Sequence, residues 1–417
     1  MEFELIRPAA PLAGDILLNG SKSISNRLLM IYALCEQHFE IHNLSNANDT
    51  LTLLRLLTNE TDFMLDAGDA GTTFRFMCAY LSFRPKKQVL TGSARMLERP
   101  IAGLVQALRQ IGAQISYLRR EGFAPLQMAE PLGILQNSVT VAADISSQFI
   151  SALLLIAPTL PQGLNLQLQG EPVSLSYIQM TLSLMAEFGI DYDWDRPNHT
   201  ISIKSQKYVG RYYSVESDWS AASYYYAMAA LSDEAHLYLR GLNPLSVQGD
   251  AVVVKLMRSL GVETIWQEDG SAYLCRTDNC VERFEYNFIL CPDIAQTFAV
   301  LCAAMNIPAH LTGLQTLKIK ETDRIEALKT ELTKLGADVS TTENSLTIHK
   351  GIDTDTSDVL ISTYEDHRMA MAFAPLVLKL PNLYLEDKNV VKKSYPNFWN
   401  DLQTLGFQLH TEPKVKI

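Results

Sequence analysis

The sequence predicts an α/β protein, α+β in the wider sense, made of two similar domains that each repeat one strand–helix unit three times. Three observations carry this expectation. Amphipathic helices closing on a glycine recur along the chain, helices apolar on every face recur between them, and short alternating stretches follow the glycines.

The glycine-closed set is Leu104–Gly112, Thr181–Gly189, Val253–Gly261, Leu328–Gly336 and Phe398–Gly406. Each has an apolar residue four before its glycine (Leu108, Met185, Met257, Leu332, Leu402) and another immediately before it (Ile111, Phe188, Leu260, Leu335, Leu405). An i, i+3 apolar pair ending at a C′ glycine marks a helix with one buried stripe. A degenerate sixth copy, Leu51–Asn59, keeps Leu54 and Leu57 and has Thr58-Asn59 in place of the glycine. Strands are expected after the glycines at Gln114–Tyr117, Asp191–Trp194, Glu263–Trp266, Asp338–Thr341 and Gln408–His410.

The second set is Leu28–Leu34, Phe74–Leu81, Phe149–Ala157, Ala221–Leu231, Phe298–Met305 and Met369–Leu378, rich in small residues and apolar nearly all round. A helix of that kind is buried. Each follows a polar signature: Gly20-Ser-Lys-Ser-Ile-Ser-Asn-Arg27, Gly68-Asp-Ala-Gly-Thr-Thr73, Asp144-Ile-Ser-Ser-Gln148, Glu216-Ser-Asp-Trp-Ser220, Pro292-Asp293 and Asp366-His-Arg368. Six units, three per half, suggest two domains meeting near Val215–Asp218. If the buried helices of each half point their N-termini at the other, several dipoles converge on one cleft, which suits a strongly anionic ligand.

A length of 417 residues agrees with more than one domain, and 47% hydrophobic with 19% charged residues is an ordinary globular composition. The formal charge of −11 argues against a general nucleic-acid binder. Cys35, Cys78, Cys275, Cys280, Cys291 and Cys302 contain no CxxC pair and mostly lie in apolar runs, so buried free thiols are expected rather than disulfides or a metal site. The N-terminus lacks the basic and apolar regions of a signal peptide, and no apolar run is long enough to span a bilayer. A cytoplasmic protein is expected.

Several of the polar signatures carry chemistry. Gly20–Arg27 places Lys22, Arg27 and serine hydroxyls at a helix start. The stretch suits an anion, but it lacks the G-x-x-x-x-G-K-[ST] spacing of a P-loop. Lys318-Ile-Lys-Glu-Thr-Asp-Arg324 opens a helix expected at Ile325–Leu335, capped by Thr322, and offers Arg324 as a ligand contact and Glu321 as a carboxylate for acid/base work. Arg368 begins an otherwise apolar helix and suits a bidentate grip on carboxylate or phosphate. Asp293 reads either as a bare N-cap or as a partly buried base. Arg99 precedes Pro100, Ser146-Ser-Gln148 and Ser174-Leu-Ser-Tyr177 supply hydroxyl and amide groups, and Lys392-Lys393 precede the last helix. The motifs of zinc hydrolases, serine hydrolases and Rossmann cofactor sites do not occur.

Taken together and in order, GSKSISNR (20–27), GDAGTTFR (68–75), LTGSARMLERPI (90–101), SSQF (146–149), SLSY (174–177), SDWSAASY (217–224), QGD (248–250), PDIAQT (292–297), KETDR (320–324), DHRMAM (366–371) and KKSYP (392–396) resemble the 5-enolpyruvylshikimate-3-phosphate synthases, over effectively the whole chain. The resemblance implies an inverted α/β prism, with the active site in the inter-domain cleft. One domain would be formed by residues 1–19 with 219–417, and the other by 20–218. It implies transfer of the enolpyruvyl group of phosphoenolpyruvate to the 5-hydroxyl of shikimate 3-phosphate, in the shikimate pathway, by a monomer without metal or organic cofactor. It also implies binding of the herbicide glyphosate.

By the same resemblance, Lys22, Ser23, Arg27, Ser146, Ser147, Gln148, Ser174, Asp293 and Lys320 would hold shikimate 3-phosphate. Lys22, Gly71, Arg99, Gln148, Arg324, Arg368 and Lys393 would hold phosphoenolpyruvate. Asp293 would act on the 5-hydroxyl proton, and Glu321 with Lys22 would move the proton at the methylene carbon. Asp69, Ser217 and Thr316 stand where the family commonly has Asn, Gly and Asn; Asp69 adds a negative charge near Gly71. The competing readings are a UDP-N-acetylglucosamine enolpyruvyl transferase, whose mobile loop usually carries a cysteine absent from Gly92–Pro100, and an inactive binding protein on the same fold.

Overall fold

The structure is a computed structural model that describes residues 2–143, 146–170 and 173–411. Asp144, part of one polar signature, lies outside the described residues. The chain divides into two compact units, Met1–Asn19 with Glu216–Ile417, and Gly20–Val215. The division falls slightly before the boundary at 218 implied by the resemblance. The Ser217 N–H donates to the Gly241 carbonyl at 2.8 Å and the Asp218 N–H to the Asn19 carbonyl at 3.1 Å, which ties both residues to the larger unit.

The repeat is visible in strand pairing. In the larger unit Leu12–Leu17 pairs parallel with Ala235–Arg240, which continues antiparallel to Ala272–Cys280 and then Leu260–Trp266. Phe284–Asn287 pairs parallel with Ala309–Thr312, followed antiparallel by Leu346–Lys350 and Asp338–Thr341. Leu360–Ile361 pairs parallel with Leu383–Leu385, followed antiparallel by Phe3–Ile6 and Gln408–His410. Two sheets of the smaller unit repeat this order, built on the parallel pairs Met64–Asp66 with Gln88–Thr91 and Ser138–Ala142 with Leu164–Gln169. A third keeps only the parallel pair, Ile41–His42 with Tyr213–Ser214. In four of these sheets a buried helix directly bridges the two parallel strands, as a parallel connection requires, whereas in the pairs Leu12–Leu17 with Ala235–Arg240 and Ile41–His42 with Tyr213–Ser214 the chain between the strands runs through the smaller unit.

Those helices are Lys22–Leu34, Gly71–Leu81 and Ser147–Ile156 in the smaller unit, and Trp219–Leu231, Ala295–Ala304 and His367–Phe373 in the larger. Within a unit they pack on one another, and each unit has its own apolar core around them. The surface helices are Asn48–Thr58, Ala102–Ile111, Leu175–Glu187, Val253–Arg258, Arg324–Lys334 and Phe398–Thr404. The glycines that follow five of them take positive φ (Gly112 127°, Gly189 82°, Gly261 80°, Gly336 84°, Gly406 89°), the backbone region that only glycine enters cheaply.

Some local expectations shift. The Val253 helix stops at Arg258 because Leu260 and Gly261 already belong to a strand. The last buried helix passes into a 3-10 turn at Ala374–Leu378, where Pro375 cannot donate to the helix. The strand expected at Asp191–Trp194 forms at Asp193–Asp195. Asp323, not Thr322, caps the Arg324 helix, its carboxylate accepting the N–H groups of Ile325 and Glu326 at 3.1 and 3.2 Å. Cys35, Cys78, Cys291 and Cys302 are buried free thiols, whereas Cys275 is half-buried and Cys280 exposed. Among the described residues no helix is long and apolar enough to cross a membrane, and no group of His, Cys, Asp and Glu side chains could hold a metal ion.

Candidate active site

In each unit the helix starts converge. In the smaller unit the Gln148 amide donates to Thr72 Oγ1 at 3.1 Å, and Thr73 Oγ1 donates to the Asp49 carbonyl at 2.8 Å. Lys22 Nζ lies 3.2 Å from the Asp49 carboxylate, which is 6% exposed. Four helix N-termini, those at 22, 48, 71 and 147, therefore share one neighbourhood, where the positive ends of the helix dipoles favour an anion. Ser146 caps its helix, its hydroxyl accepting the Gln148 N–H at 3.3 Å, and Ser147 follows it, buried. Ser174 is also buried and holds a left-handed backbone, φ 53°, at the start of Leu175–Glu187.

Two arginines brace this neighbourhood. Arg27 donates to Thr181 Oγ1 at 2.7 Å, Ser151 Oγ at 3.1 Å, the Ser23 carbonyl at 2.8 Å and the Tyr177 carbonyl at 3.3 Å. Burial lowers its pKa to about 10, which leaves it charged at neutral pH. Its hydrogen bonds are largely taken up by protein, which ties three helices together beside Ser23. Arg75, which sequence reasoning did not single out, donates to the Gly71 carbonyl at 3.2 Å and the Pro100 carbonyl at 3.4 Å and so joins the start of its own helix to the segment that carries Arg99. Gly71 leaves room for Arg99: a Cβ there would lie 2.5 Å from Arg99 Nη1. Gly20 is needed for the same kind of reason, since a Cβ would lie 1.8 Å from the Asn43 carbonyl oxygen. Asp69 accepts the Ser93 hydroxyl, so its added charge is engaged by the loop itself.

The larger unit gathers Lys320, Arg324, Arg368 and Lys393 with the carboxylates of Asp293, Glu321 and Asp366. Asp293 does not cap a helix. It sits in the 3-10 turn Pro292–Ile294 and accepts from Arg368 Nη2 at 2.8 Å, with Arg324 Nη1 at 3.5 Å and Lys320 Nζ at 3.9 Å. Glu321 lies between Arg324 (3.0 Å) and Lys393 (3.4 Å). The strongest pair is Arg324 with Asp366, which is 0% exposed and accepts at 2.6 and 3.1 Å in a two-point grip. Burial alone would lower the Arg324 pKa; Asp366 and Glu321 more than offset it, and the guanidinium stays charged. Asp366 also caps its own helix by accepting the Arg368 N–H at 2.9 Å. Arg368 reaches Tyr224, whose hydroxyl burial pushes up to about 12, at 3.3 Å, and Ser220 at 3.4 Å.

Of the expected substrate residues, Lys22, Ser23, Arg27, Gly71, Arg99, Ser146, Ser147, Gln148 and Ser174 lie in the smaller unit, and Asp293, Lys320, Glu321, Arg324, Arg368 and Lys393 lie in the larger. Sequence reasoning missed Asp49, Asp250, Tyr224 and the coupling role of Asp366. Asp250 stands in the QGD stretch but had no chemical signal of its own. It is buried, accepts the Ser220 hydroxyl, and is pushed up to about 7, first by burial and then by the nearby Asp293 charge. The sign follows from linkage. A carboxyl raised in the native state binds more protons than the unfolded chain between about pH 4 and 7, so its contribution to stability falls across that window and is flat above it. Melting temperatures of the protein and of Asp250→Asn, compared from pH 5 to 8, should therefore move in favour of the variant as pH rises. A pH-independent difference would count against this placement.

The fold and the clusters define a class of protein: a two-unit α/β repeat protein with cations and carboxylates gathered at the starts of its buried helices. Residues 6–59 and 53–402 match the model of the EPSP synthase (3-phosphoshikimate 1-carboxyvinyltransferase) family. A Bacteroides fragilis (strain YCH46) protein named 3-phosphoshikimate 1-carboxyvinyltransferase is 46% identical over 404 residues, 97% of this chain and 98% of that one. A Shewanella pealeana protein of the same name is 34% identical, covering 96% of this chain and 99% of its own. An EPSP synthase structure from Acinetobacter baumannii aligns over 98% of this chain with a TM-score of 0.78 at 21% identity, which speaks for the fold. The chain belongs to the EPSP synthase family.

Proposed function

We propose that the protein transfers the carboxyvinyl group of phosphoenolpyruvate to the 5-hydroxyl of shikimate 3-phosphate and releases phosphate, as a cytoplasmic monomer of the shikimate pathway. The observation that carries this reading is the cluster in which Asp293 and Glu321 stand among Lys320, Arg324, Arg368 and Lys393. Two anionic substrates need several cations to be held side by side, and the chemistry needs carboxylates among those cations.

In this reading Lys22, Gly71, Arg99, Gln148, Arg324, Arg368 and Lys393 serve phosphoenolpyruvate. Lys22, Ser23, Arg27, Ser146, Ser147, Gln148, Ser174, Asp293 and Lys320 serve shikimate 3-phosphate. Asp293 takes the 5-hydroxyl proton as the oxygen adds to C2 of the enol, while Glu321 and Lys22 deliver a proton to the methylene carbon. The tetrahedral intermediate then loses phosphate, and a proton leaves the new methyl group. The 3.5 and 3.9 Å contacts of Asp293 with Arg324 and Lys320 are long enough to be exchanged for substrate oxygens, whereas the 2.6 Å Arg324–Asp366 contact acts as a fixed support.

The test is phosphate release from phosphoenolpyruvate with shikimate 3-phosphate, beside UDP-N-acetylglucosamine. Release with shikimate 3-phosphate alone is expected. Release with the UDP sugar alone would reassign the acceptor, and release with neither would make the protein a binding scaffold. Gly71→Ala gives a second measurement. Its Cβ must push Arg99 aside, because the two would lie 2.5 Å apart. A displacement on that scale should lower kcat/KM for phosphoenolpyruvate by about tenfold to a hundredfold with little change in melting temperature. Unchanged kinetics would remove Arg99 from the site.

A further inference from the structure

Among the described residues of the larger unit, one buried carboxylate lies outside the cluster around Asp293. Glu331 is 0% exposed and lies two turns beyond Arg324 on the same face of the Arg324–Lys334 helix. Its Oε1 accepts the Tyr364 hydroxyl at 2.5 Å, and its Oε2 accepts the Ser362 N–H at 3.2 Å. Lys334 Nζ donates to both oxygens at 2.8 Å and balances the charge. The next N–H along, that of Thr363, donates to Glu386 at 2.8 Å.

The turn held in this way is strained. Tyr364 and Glu365 have φ of 53° and 54°, and Asp366 follows directly. Two successive non-glycine residues in the left-handed region persist only where their surroundings over-determine them. Here the Arg324–Lys334 helix holds the turn at both ends, Glu331 at Ser362 and Tyr364 and Arg324 at Asp366. Asp366 in turn accepts the Arg368 N–H, so the start of the His367–Phe373 helix is placed by the same support.

We propose that Glu331 is a positioning residue for phosphoenolpyruvate binding: it fastens the 362–365 turn to the Arg324–Lys334 helix and thereby places Asp366 and the guanidinium groups of Arg324 and Arg368. The proposal rests on the assignment of those two arginines to phosphoenolpyruvate. Glu331 acts through the turn rather than on the substrate.

The test is steady-state kinetics on the full chain with each substrate varied in turn, for Glu331→Gln, Tyr364→Phe and Arg368→Lys. Glu331→Gln should raise KM for phosphoenolpyruvate about tenfold, the loss of hydrogen bonds to a charged acceptor, and leave KM for shikimate 3-phosphate within about twofold. Tyr364→Phe removes a single contact and should shift the same KM by about threefold. A lower melting temperature with both KM values unchanged, while Arg368→Lys raises that for phosphoenolpyruvate, would reduce Glu331 to a structural residue and overturn the proposal. An unchanged KM for phosphoenolpyruvate in Arg368→Lys would instead overturn the arginine assignment beneath it. Should Glu331→Gln not fold, Tyr364→Phe decides, and an unchanged KM for phosphoenolpyruvate there also overturns the proposal.

Discussion

Asp293→Ala is expected to lose about a hundredfold to ten-thousandfold in kcat, the range for removing a positioned acid/base group, while still binding shikimate 3-phosphate. Asp293 faces Arg368 at 2.8 Å and is within reach of Arg324 and Lys320, so its carboxylate is placed by three cations from two different segments. Alanine removes both the base and the group that orients Arg368. Asp293→Asn separates the two effects, because its amide oxygen can still accept from Arg368 but cannot take a proton. Comparable losses in kcat for both variants, with calorimetric binding of shikimate 3-phosphate retained, would support the role of base. Near-normal turnover in Asp293→Asn would leave Asp293 as an orienting group only.

Arg324→Met should produce the largest loss of stability. Asp366 is 0% exposed and takes a two-point grip from Arg324, which is itself 2% exposed on its side chain. Removing one partner of a buried pair leaves the other charge uncompensated and costs about 3–5 kcal/mol. Equilibrium denaturant unfolding of the variant and of Arg324→Met/Asp366→Asn checks this. The double variant should recover part of the loss, since no stranded charge remains. A loss under about 1 kcal/mol in the single variant would mean that water or another cation reaches Asp366.

Much of the fold was legible because the helices have two distinct kinds of surface. All-round apolarity marked the six buried helices, and the i, i+3 pair before a glycine marked five of the surface ones, four of which end next to a glycine at positive φ. Where boundaries slipped, a non-helical demand won. Leu260 was claimed by strand pairing with Cys280, and Pro375 ended regular helix hydrogen bonding. The site was legible as chemistry at helix starts: Lys22, Arg324, Arg368 and Asp293 all stand at or beside a helix start, where N–H groups have no partner within the helix. Asp250 was not legible, because a lone carboxylate after Gln-Gly carries no local signal. Its burial and its nearness to Asp293 bring the raised pKa.

By itself, then, the sequence determined which residue types stand at the starts of which helices, since periodicity, capping and glycine placement are local properties that act within a few residues. Only the tertiary structure decided the pairings. Asp293 meets Arg324 from 31 residues away and Arg368 from 75, and Arg27 meets Thr181 from 154. Such meetings depend on how sheets and helices pack within each unit, and no local pattern encodes that distance. The same physics explains why Glu331, an unremarkable glutamate in an amphipathic helix, became visible only once the strained turn it holds could be seen.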